Sequence, residues 1–293
     1  MTSLKFWGVR GSIPTPGPDT VRYGGNTACI ELRHKDKLVI LDGGSGLRAL
    51  GNELMKSKSS ITANIFISHM HWDHIQGIPF FTPAYIPGNH FVFYGAEDSD
   101  KSLADIIAGQ MDPTYFPIEL SDMGAKLEFQ RLYEGDYIID GIEIQTIYVN
   151  HPGNALGYKF TLGTKKIVYI SDNEPLPEAN NNELTALEPG SFITDDGKNK
   201  LIKFIKDASI LIHDAQYTPE EYSKHVTWGH SPYDYTVKLA IEAGVKKLIL
   251  FHHDPQHNDD FIDNMLMNAQ KLALELKGDI EILAAREGLS VTC

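Results

Sequence analysis

The chain has 293 residues, of which 42% are hydrophobic and 22% charged, and this composition is typical of a globular protein rather than a disordered or collagen-like one. Its formal net charge of −13 argues against a protein that binds long nucleic acids non-specifically through a basic face. The two cysteines, Cys29 and Cys293, allow no disulfide framework, so a reducing compartment is expected. The sequence shows no signal peptide and no run of about 20 apolar residues, which predicts a cytoplasmic protein without a membrane partner.

Five short apolar runs along the chain predict buried strands, because near-continuous hydrophobic segments of this length are typical of strands covered on both faces. These runs are residues 37–41, 64–67, 166–170, 209–212 and 247–251. Residues 137–144 and 157–162 alternate between apolar and polar side chains, and this pattern predicts half-buried antiparallel strands.

Helices are predicted between several of these strands. Ser231 is the predicted N-cap of one helix, with Pro232 at its first position and Gly244 at its end. Residues 259–277 carry apolar side chains at helical spacing and predict a second helix. Its predicted core residues are Ile262, Met265, Ala269, Leu272, Ala273 and Leu276.

The order of the elements suits one α/β domain over residues 1–293, with two sheets and helices outside them. Residues 174–207 are interpreted as an excursion that carries a short helix, not as a domain linker. Each of the five apolar runs is followed at once by ionisable residues, which begin with Asp42, His69, Asp172, His213 and His252. Ligand sites in α/β folds gather at the carboxyl ends of strands, so these residues predict a single site.

The densest set of ligand-type side chains is His69-Met70-His71-Trp72-Asp73-His74, directly after the run 64–67. Histidines two positions apart in an extended chain project to the same side, so His69 and His71 are predicted to reach one metal ion. Asp73 and His74 are then free to serve a second ion. Imidazole and carboxylate ligands without thiolate suit zinc, manganese or iron. We therefore predict two divalent metal ions, with zinc as the first expectation and manganese or iron as alternatives.

The spacing His-x-His-x-Asp-His resembles the hallmark motif of the metallo-β-lactamase fold superfamily, and the resemblance extends along most of the chain. It implies a four-layer αβ/βα sandwich. The ligand set that it implies is His69, His71 and His151 for the first metal, Asp73, His74 and His252 for the second, and Asp172 bridging both. It also implies that Asp42, in the segment LDGGSG, orients one of the ligands.

Simpler interpretations remain open at several of these positions. Asp42 precedes two glycines and would also suit a turn, while Asp172 and His151 would suit ordinary loops. His253 is an alternative to His252 as the last ligand, because the two are adjacent in LILFHHDP.

Two further segments resemble the phosphodiesterase branch of the superfamily that includes ribonuclease Z. Asp214, in HDAQY, stands where that branch has a glutamate, and His230 lies in the matching Gly-His-Ser motif. An alkoxide leaves a phosphodiester readily only when it is protonated, and a cationic His230 held by Asp214 would donate that proton. The resemblance thus implies catalytic roles for Asp73, His230 and Asp214. As an alternative, His230 is only a neighbour of the helix start.

The chain departs from ribonuclease Z in ways that bear on the substrate. That family carries a long arm that grips tRNA between the motifs of His151 and Asp172, which are here separated only by residues 152–171. The charge of −13 also suits a long polyanion badly. We therefore expect a small phosphodiester substrate, with a cyclic nucleotide favoured, and no long nucleic acid. Relatives in this branch are often dimers, so a homodimer is a further expectation.

Four residues near the predicted site have two interpretations each. Arg10 and Arg22 would either contact phosphate or be ordinary surface charges. Trp72 and Trp228 each stand close to a site histidine and would stack on a base, although core packing is the favoured interpretation for both.

The main hypothesis is accordingly a metal-dependent hydrolase that acts as a phosphodiesterase. One alternative is a ribonuclease Z-like endonuclease, and another is a thioesterase or lactonase with the same metal ligands. A protein that keeps the fold and binds without catalysis is the alternative from a different class.

Overall fold

The structure is a computed structural model that describes residues 2–57, 59–97, 100–176 and 195–292. Its strands are β1 (Thr2–Gly8), β2 (Cys29–His34), β3 (Lys37–Leu41), β4 (Thr62–Phe66), β5 (His90–Gly95), β6 (Lys126–Arg131), β7 (Gly135–Ile139), β8 (Ile142–Tyr148), β9 (Leu156–Leu162), β10 (Lys165–Ile170), β11 (Ile210–Asp214), β12 (Lys247–Phe251), β13 (Glu281–Ala284) and β14 (Ser290–Thr292). Its α-helices are α1 (Gly46–Leu54), α2 (Trp72–Ile75), α3 (Leu103–Gly109), α4 (Asp195–Ile205), α5 (Pro219–Tyr222), α6 (Tyr233–Glu242) and α7 (Asp259–Glu275).

The strands form two mixed sheets. One has the order β14-β1-β2-β3-β4-β5-β6 and the other β13-β12-β11-β10-β9-β8-β7. Strands β3 to β6 are parallel in the first sheet, and β10 to β13 are parallel in the second. The carboxyl ends of parallel strands lie at one edge of a sheet, so each sheet brings several strand ends together.

Three apolar cores arrange the sheets and helices in four layers. The first core lies between the sheets and joins side chains such as Phe66 of β4 and Phe160 of β9. The second covers the outer face of the first sheet with α1 and α3, and the third covers the outer face of the second sheet with α4, α6 and α7. This is the predicted αβ/βα sandwich, with helices on both outer faces. Among the helices of the described residues, none combines the length and apolar character needed to cross a membrane.

The five predicted buried strands are confirmed as β3, β4, β10, β11 and β12, with boundary shifts of one or two residues. The predicted single strand 137–144 is wrong, because β7 and β8 are separated there by a tight hairpin. Asp140 and Gly141 both have positive φ, at 50° and 77°, which is the geometry that an Asp-Gly pair supplies in two-residue hairpins.

The helix predictions need two corrections. Helix α6 begins at Tyr233 with Pro232 as its N-cap, because the Ser231 hydroxyl donates to the carbonyl of Asn173 instead of capping the helix. Leu276 is exposed just after α7, whereas Ile262, Met265, Ala269 and Ala273 are buried as predicted. Helix α4 is the short helix expected within 174–207, although residues 177–194 of that stretch lie outside the described residues. Cys29 is buried in β2, and Cys293 also lies outside them.

Candidate metal centre

The chain that leaves β4 presents its ligand-type side chains in two directions. It stays extended through His71, whose φ and ψ are −67° and 151°, and α2 begins at the next residue. The turn of α2 places Asp73 and His74 in a second group, with the His74 ring 4.3 Å from the His69 ring. Gly44 makes this turn possible, since a Cβ there would clash with the carbonyl oxygen of Asp73.

Three imidazoles and one carboxylate converge in a first group, which consists of His69, His71, His151 and Asp172. Each offers one ligand atom, and these atoms all lie within 4.8 Å of one another. The Nδ1 of His71 lies 2.9 Å from the Nε2 of His69 and 3.1 Å from the Nε2 of His151. Burial lowers the pKa of both His69 and His151, which favours the neutral imidazole that a metal ligand requires.

A second group lies beside the first and shares one residue with it. It consists of Asp73, His74, Asp172 and His252, all of them buried. The Nε2 of His252 lies 3.1 Å from Asp73 Oδ2 and 3.3 Å from Asp172 Oδ1. Burial alone would raise the pKa of Asp172, but the neighbouring His252 and His74 hold it well below its ordinary value. Asp172 is therefore ionised, as a carboxylate ligand must be.

The second group contains two buried polar atoms that a bound cation would satisfy. His74 Nε2 and Asp172 Oδ1 are buried, lie 3.3 Å apart and have no hydrogen-bond partner. Buried polar atoms without a partner are costly and therefore rare. The other oxygen of Asp172, Oδ2, faces His69 and His151 at 3.5 and 3.7 Å. The residues thus fit a pair of divalent ions with Asp172 between them, and the donor set suits zinc, manganese or iron.

Asp42 supports the second group from behind. Its carboxylate lies 2.8 Å from His74 Nδ1 and accepts hydrogen bonds from the backbone and hydroxyl of Ser68 and from the hydroxyl of Tyr169. Asp42 is fully buried and has a φ of 59°, which is unusual for a residue other than glycine. A carboxylate on the far nitrogen of a histidine fixes the tautomer and aims the near nitrogen. The orienting contact predicted for Asp42 is present in the structure.

Two further contacts orient ligand histidines, and the sequence interpretation contained neither. The Nδ1 of His252 lies 2.9 Å from the side-chain oxygen of Gln216. The Nδ1 of His151 lies 2.8 Å from the carbonyl oxygen of Gly229. Gln216 stands two residues after Asp214 in HDAQY, so its place beside a strand end was the available signal. A backbone carbonyl leaves no such signal in a sequence.

His230 and Asp214 form a pair next to the two groups. The Nδ1 of His230 lies 3.1 Å from Asp214 Oδ2 and 3.8 Å from Asp172 Oδ2. Asp214 is fully buried and also accepts hydrogen bonds from the backbone of Gln216 and Ser231. Burial alone would lower the pKa of His230, but Asp214 raises it to about 9. Because α6 starts only at Tyr233, His230 is held by this carboxylate and not by the start of the helix.

Several predicted site residues lie outside both groups. His253 turns towards the backbone, where its Nε2 contacts the carbonyl oxygen of Ala285 at 2.8 Å, so the structure brings His252 and not His253 to the second group. His213 is buried, with its Nδ1 on the carbonyl oxygen of Asp214.

Both arginines have other partners in the structure. Arg10 is fully buried, and its guanidinium donates to the carbonyl oxygens of Gly24, Asp254 and His257. Arg22 lies at the surface in ion pairs with Asp260 and Asp263. The favoured interpretation of Trp72 and Trp228 as core residues is also wrong, since both side chains are exposed.

Known proteins share this architecture along the whole chain. Ribonuclease Z of Picrophilus torridus is 26% identical over 302 residues, which cover 92% of this chain and 90% of the relative. The metallo-beta-lactamase fold protein YhfI of Bacillus subtilis matches with a TM-score of 0.68 at 18% identity, covering all of both chains. The short form of human tRNase Z matches with a TM-score of 0.63 at 20% identity, covering 99% of this chain and 98% of that one.

The family itself is established by a direct match. The sequence model of the beta-lactamase superfamily domain matches residues 39–253, a span that runs from β3 to the end of the second ligand group. The curated relatives named ribonuclease Z place the chain in that branch of the superfamily. The protein therefore belongs to the beta-lactamase superfamily and is a metal-dependent hydrolase of the metallo-β-lactamase fold, in the ribonuclease Z-like branch.

Proposed function

We propose that this protein is a phosphodiesterase of the ribonuclease Z kind, which hydrolyses a phosphodiester bond in RNA. The observation that carries the proposal is the His230–Asp214 pair, whose 3.1 Å contact lies beside the shared Asp172. A departing alkoxide needs a proton, whereas hydrolysis of a thioester or an activated ester does not. The relatives named ribonuclease Z support the choice of RNA, and they oppose the expectation that no long nucleic acid is bound.

The residues of the two groups have separate tasks in this proposal. His69, His71 and His151 would hold one metal ion, Asp73, His74 and His252 would hold the other, and Asp172 belongs to both groups. Metal ions bound there would lower the pKa of water and stabilise charge on the phosphoryl oxygens. Zinc is the first ion to test, because a set of imidazoles and carboxylates suits it.

His230 supplies the proton that the leaving oxygen requires. Asp214 holds the Nδ1 of the ring, so Nε2 is the atom that donates. Water attacks phosphorus and loses a proton, the bond between phosphorus and the leaving oxygen breaks, and that oxygen takes the proton from Nε2. The imidazole then regains a proton from solvent. Asp214 keeps the imidazolium oriented and stabilises its charge, as a buried carboxylate does for a catalytic histidine.

A small phosphodiester, such as a cyclic nucleotide, is the second candidate substrate, and two observations favour it. The antiparallel pair β9 and β10 occupies most of the connection between His151 and Asp172, which leaves no length there for an RNA-gripping arm. The net charge is −13, Arg10 is bonded to backbone carbonyls in the interior, and Arg22 is paired with aspartates at the surface. Both features make a long polyanion a poor partner.

The decisive experiment compares His230→Ala with the parent protein on substrates that differ in leaving group. We expect the variant to lose roughly 10²–10⁴-fold in kcat on a precursor tRNA or on a cyclic nucleotide. The loss should be much smaller on bis-p-nitrophenyl phosphate, because p-nitrophenolate departs without a proton. His90→Ala, which removes a surface histidine bonded to Glu128, is the matched control and should leave every rate unchanged.

Assays of the parent protein distinguish between the two candidate substrates, RNA and a small phosphodiester. Cleavage of precursor tRNA supports the main proposal, and turnover of cyclic nucleotides alone selects the small substrate. If zinc-loaded protein cleaves neither but hydrolyses thioesters or lactones at a rate that His230→Ala does not change, the phosphodiesterase proposal is wrong.

A further inference from the structure

Two exposed tryptophans stand next to the metal centre. The side chain of Trp72 is 77% exposed and that of Trp228 is 60% exposed. Tryptophan is highly buried on average, because its large apolar ring gains most from leaving water. Two such rings in solvent, each within two residues of a site histidine, therefore need an explanation that core packing does not give.

Both tryptophans are sequence neighbours of residues that belong to, or contact, the first group. Trp72 follows His71, the one exposed member of the first group, and Trp228 precedes Gly229. His71 contacts His151 at 3.1 Å, and His151 in turn contacts the carbonyl oxygen of Gly229 at 2.8 Å. One short line of contacts, from His71 through His151 to Gly229, thus connects the neighbours of the two tryptophans.

The turn that carries Trp228 is held firmly in an unfavourable conformation. Thr227 has a φ of 76°, which is strained for a β-branched residue. The buried carboxylate of Glu174 stabilises this turn, because it accepts hydrogen bonds from the backbone of Thr227 and Gly229 and from the hydroxyl of Tyr222. Strain of this kind persists where surrounding contacts fix it, and it is concentrated at functional sites.

The exposed ring of Trp228 packs against an aromatic ladder, which consists of His225 and Tyr217. Trp228 meets His225 edge to face with ring centroids 4.7 Å apart, and His225 stacks on Tyr217 at 4.6 Å. Tyr217 is almost fully buried, so the ladder is anchored in the protein interior. The ring of Trp228 is therefore packed on one side against other aromatic side chains while it remains exposed on the other.

We propose that Trp72 and Trp228 form a stacking platform for the nucleobase attached to the scissile phosphate. This inference rests on the proposed phosphodiesterase function, and it adds the class of substrate group that these two side chains select. Every nucleobase has a polar edge and an apolar face, and stacking on an aromatic side chain gives affinity without basic residues. That matches a site where two tryptophans are exposed and where Arg10 and Arg22 are engaged elsewhere.

The first test uses two substrates that share a leaving group, of which one carries a nucleoside and the other an ethyl group. These are the p-nitrophenyl ester of thymidine 5′-monophosphate and ethyl p-nitrophenyl phosphate. We expect Trp72→Ala and Trp228→Ala to raise KM for the thymidine ester about 5- to 100-fold, as loss of a stacked base does, and to leave KM for the ethyl ester unchanged. Because both rings are exposed, the substitutions remove little packing, and Trp72→Phe and Trp228→Phe should restore most of the affinity.

Tyr133→Ala is the matched control, since it removes another exposed ring from the segment between the edge strands β6 and β7. It should change neither KM. Equal effects of the tryptophan variants on both esters, or no effect on the thymidine ester, would overturn the platform while the phosphodiesterase function stands. An effect that extends to a short oligoribonucleotide assigns the platform to RNA, and an effect confined to mononucleotides assigns it to a small nucleotide.

A second test measures binding without hydrolysis, so it survives a failure of the proposed function. The chain has three tryptophans, and the third, Trp7, is partly buried on β1 with its ring nitrogen bonded to Glu31. Thymidine 5′-monophosphate should quench the fluorescence of the metal-loaded protein but not that of Trp72→Phe/Trp228→Phe, in which only Trp7 emits. Ribose 5-phosphate should quench neither. Equal quenching by ribose 5-phosphate, or undiminished quenching in the double variant, would contradict stacking.

Discussion

The two ligand groups of the metal centre are built differently, although they share Asp172. The first group has one exposed member, His71, and its His151 is oriented by a backbone carbonyl on a surface turn. The second group is entirely buried, and its histidines are oriented by the side chains of Asp42 and Gln216.

This difference assigns different tasks to the two groups. Two buried side chains orient the histidines of the second group, whereas one backbone carbonyl on a surface turn orients His151 in the first. We therefore expect the second group to bind its ion more tightly and the first to face the substrate. The exposed tryptophans lie on the side of the first group, which agrees with this division.

The largest effect is expected from Asp172→Asn, which should weaken metal binding at both groups and so remove the difference between them. The amide keeps the shape but offers one oxygen where two are needed, since Oδ2 faces the first group and Oδ1 the second. Loss of an orienting contact already lowers metal affinity about 10- to 100-fold, so the loss for a shared ligand should exceed 100-fold for both ions. Metal content per chain after dialysis should fall from two towards zero, with loss of hydrolysis.

Asp234→Asn is the control for this change, because that carboxylate pairs with exposed Lys238 on α6 and belongs to neither ligand group. It should retain both metal ions and full activity. If Asp172→Asn keeps one tightly bound ion, Asp172 serves a single group and the two are independent.

A smaller and one-sided effect is expected from Asp42→Asn. The amide nitrogen cannot accept a hydrogen bond, so at least one of the donors on His74, Ser68 and Tyr169 is left unsatisfied in the core. We expect one ion to lose about 10- to 100-fold in affinity while the other is retained. The unfolding free energy of the metal-free protein should also fall by about 1–3 kcal/mol.

Competition with a metal chelator measures this selectivity. As the chelator concentration rises, the parent protein should release its two ions in separate steps. In the variant the second ion should leave at a lower chelator concentration, and the release of the first should be unchanged. A uniform shift of both steps would show that Asp42 supports the whole centre and not the second group alone.

The strand-end pattern explains why so much of this centre was predictable from the sequence. Asp42, His69, Asp172 and His252 follow buried apolar runs, and parallel strands bring such ends to a common edge. The same rule fails for His213, which was expected at the end of a strand but lies inside β11. The pleat of the strand sets the direction of its side chain there.

The remaining parts depend on tertiary contacts that no local pattern encodes. Arg10 is charged, and a charged residue is expected at the surface. It is buried here because its guanidinium donates hydrogen bonds to three backbone carbonyl oxygens. Ser231 has the local sequence features of an N-cap, but its hydroxyl donates a hydrogen bond to the carbonyl oxygen of Asn173, which follows another strand. The exposure of Trp72 and Trp228 was unpredictable for the same reason, since composition alone favours burial for tryptophan.

The smallest expected effect comes from Glu174→Gln, which loosens the first group from a distance. Glu174 holds the backbone nitrogens of Thr227 and Gly229 at 2.6 and 2.9 Å, and Gly229 orients His151. A glutamine has one accepting oxygen for these donors, so the turn should relax without unfolding. This change acts one contact further from the ligand than Asp42→Asn does. We therefore expect less than a 10-fold loss of metal affinity, confined to the ion of the first group.

Tyr222→Phe separates this mechanism from a general weakening of the surface turn. It removes the hydroxyl that donates to Glu174 at 3.0 Å but leaves both backbone contacts in place. In chelator competition, Glu174→Gln should advance the earlier release step and Tyr222→Phe should leave it close to that of the parent. Asp42→Asn and Glu174→Gln would then act on opposite steps, and their effects should add in the double variant, because they share no contact. If Glu174→Gln instead advances the later step, the turn supports the buried group, and the division between an open and a locked metal site is wrong.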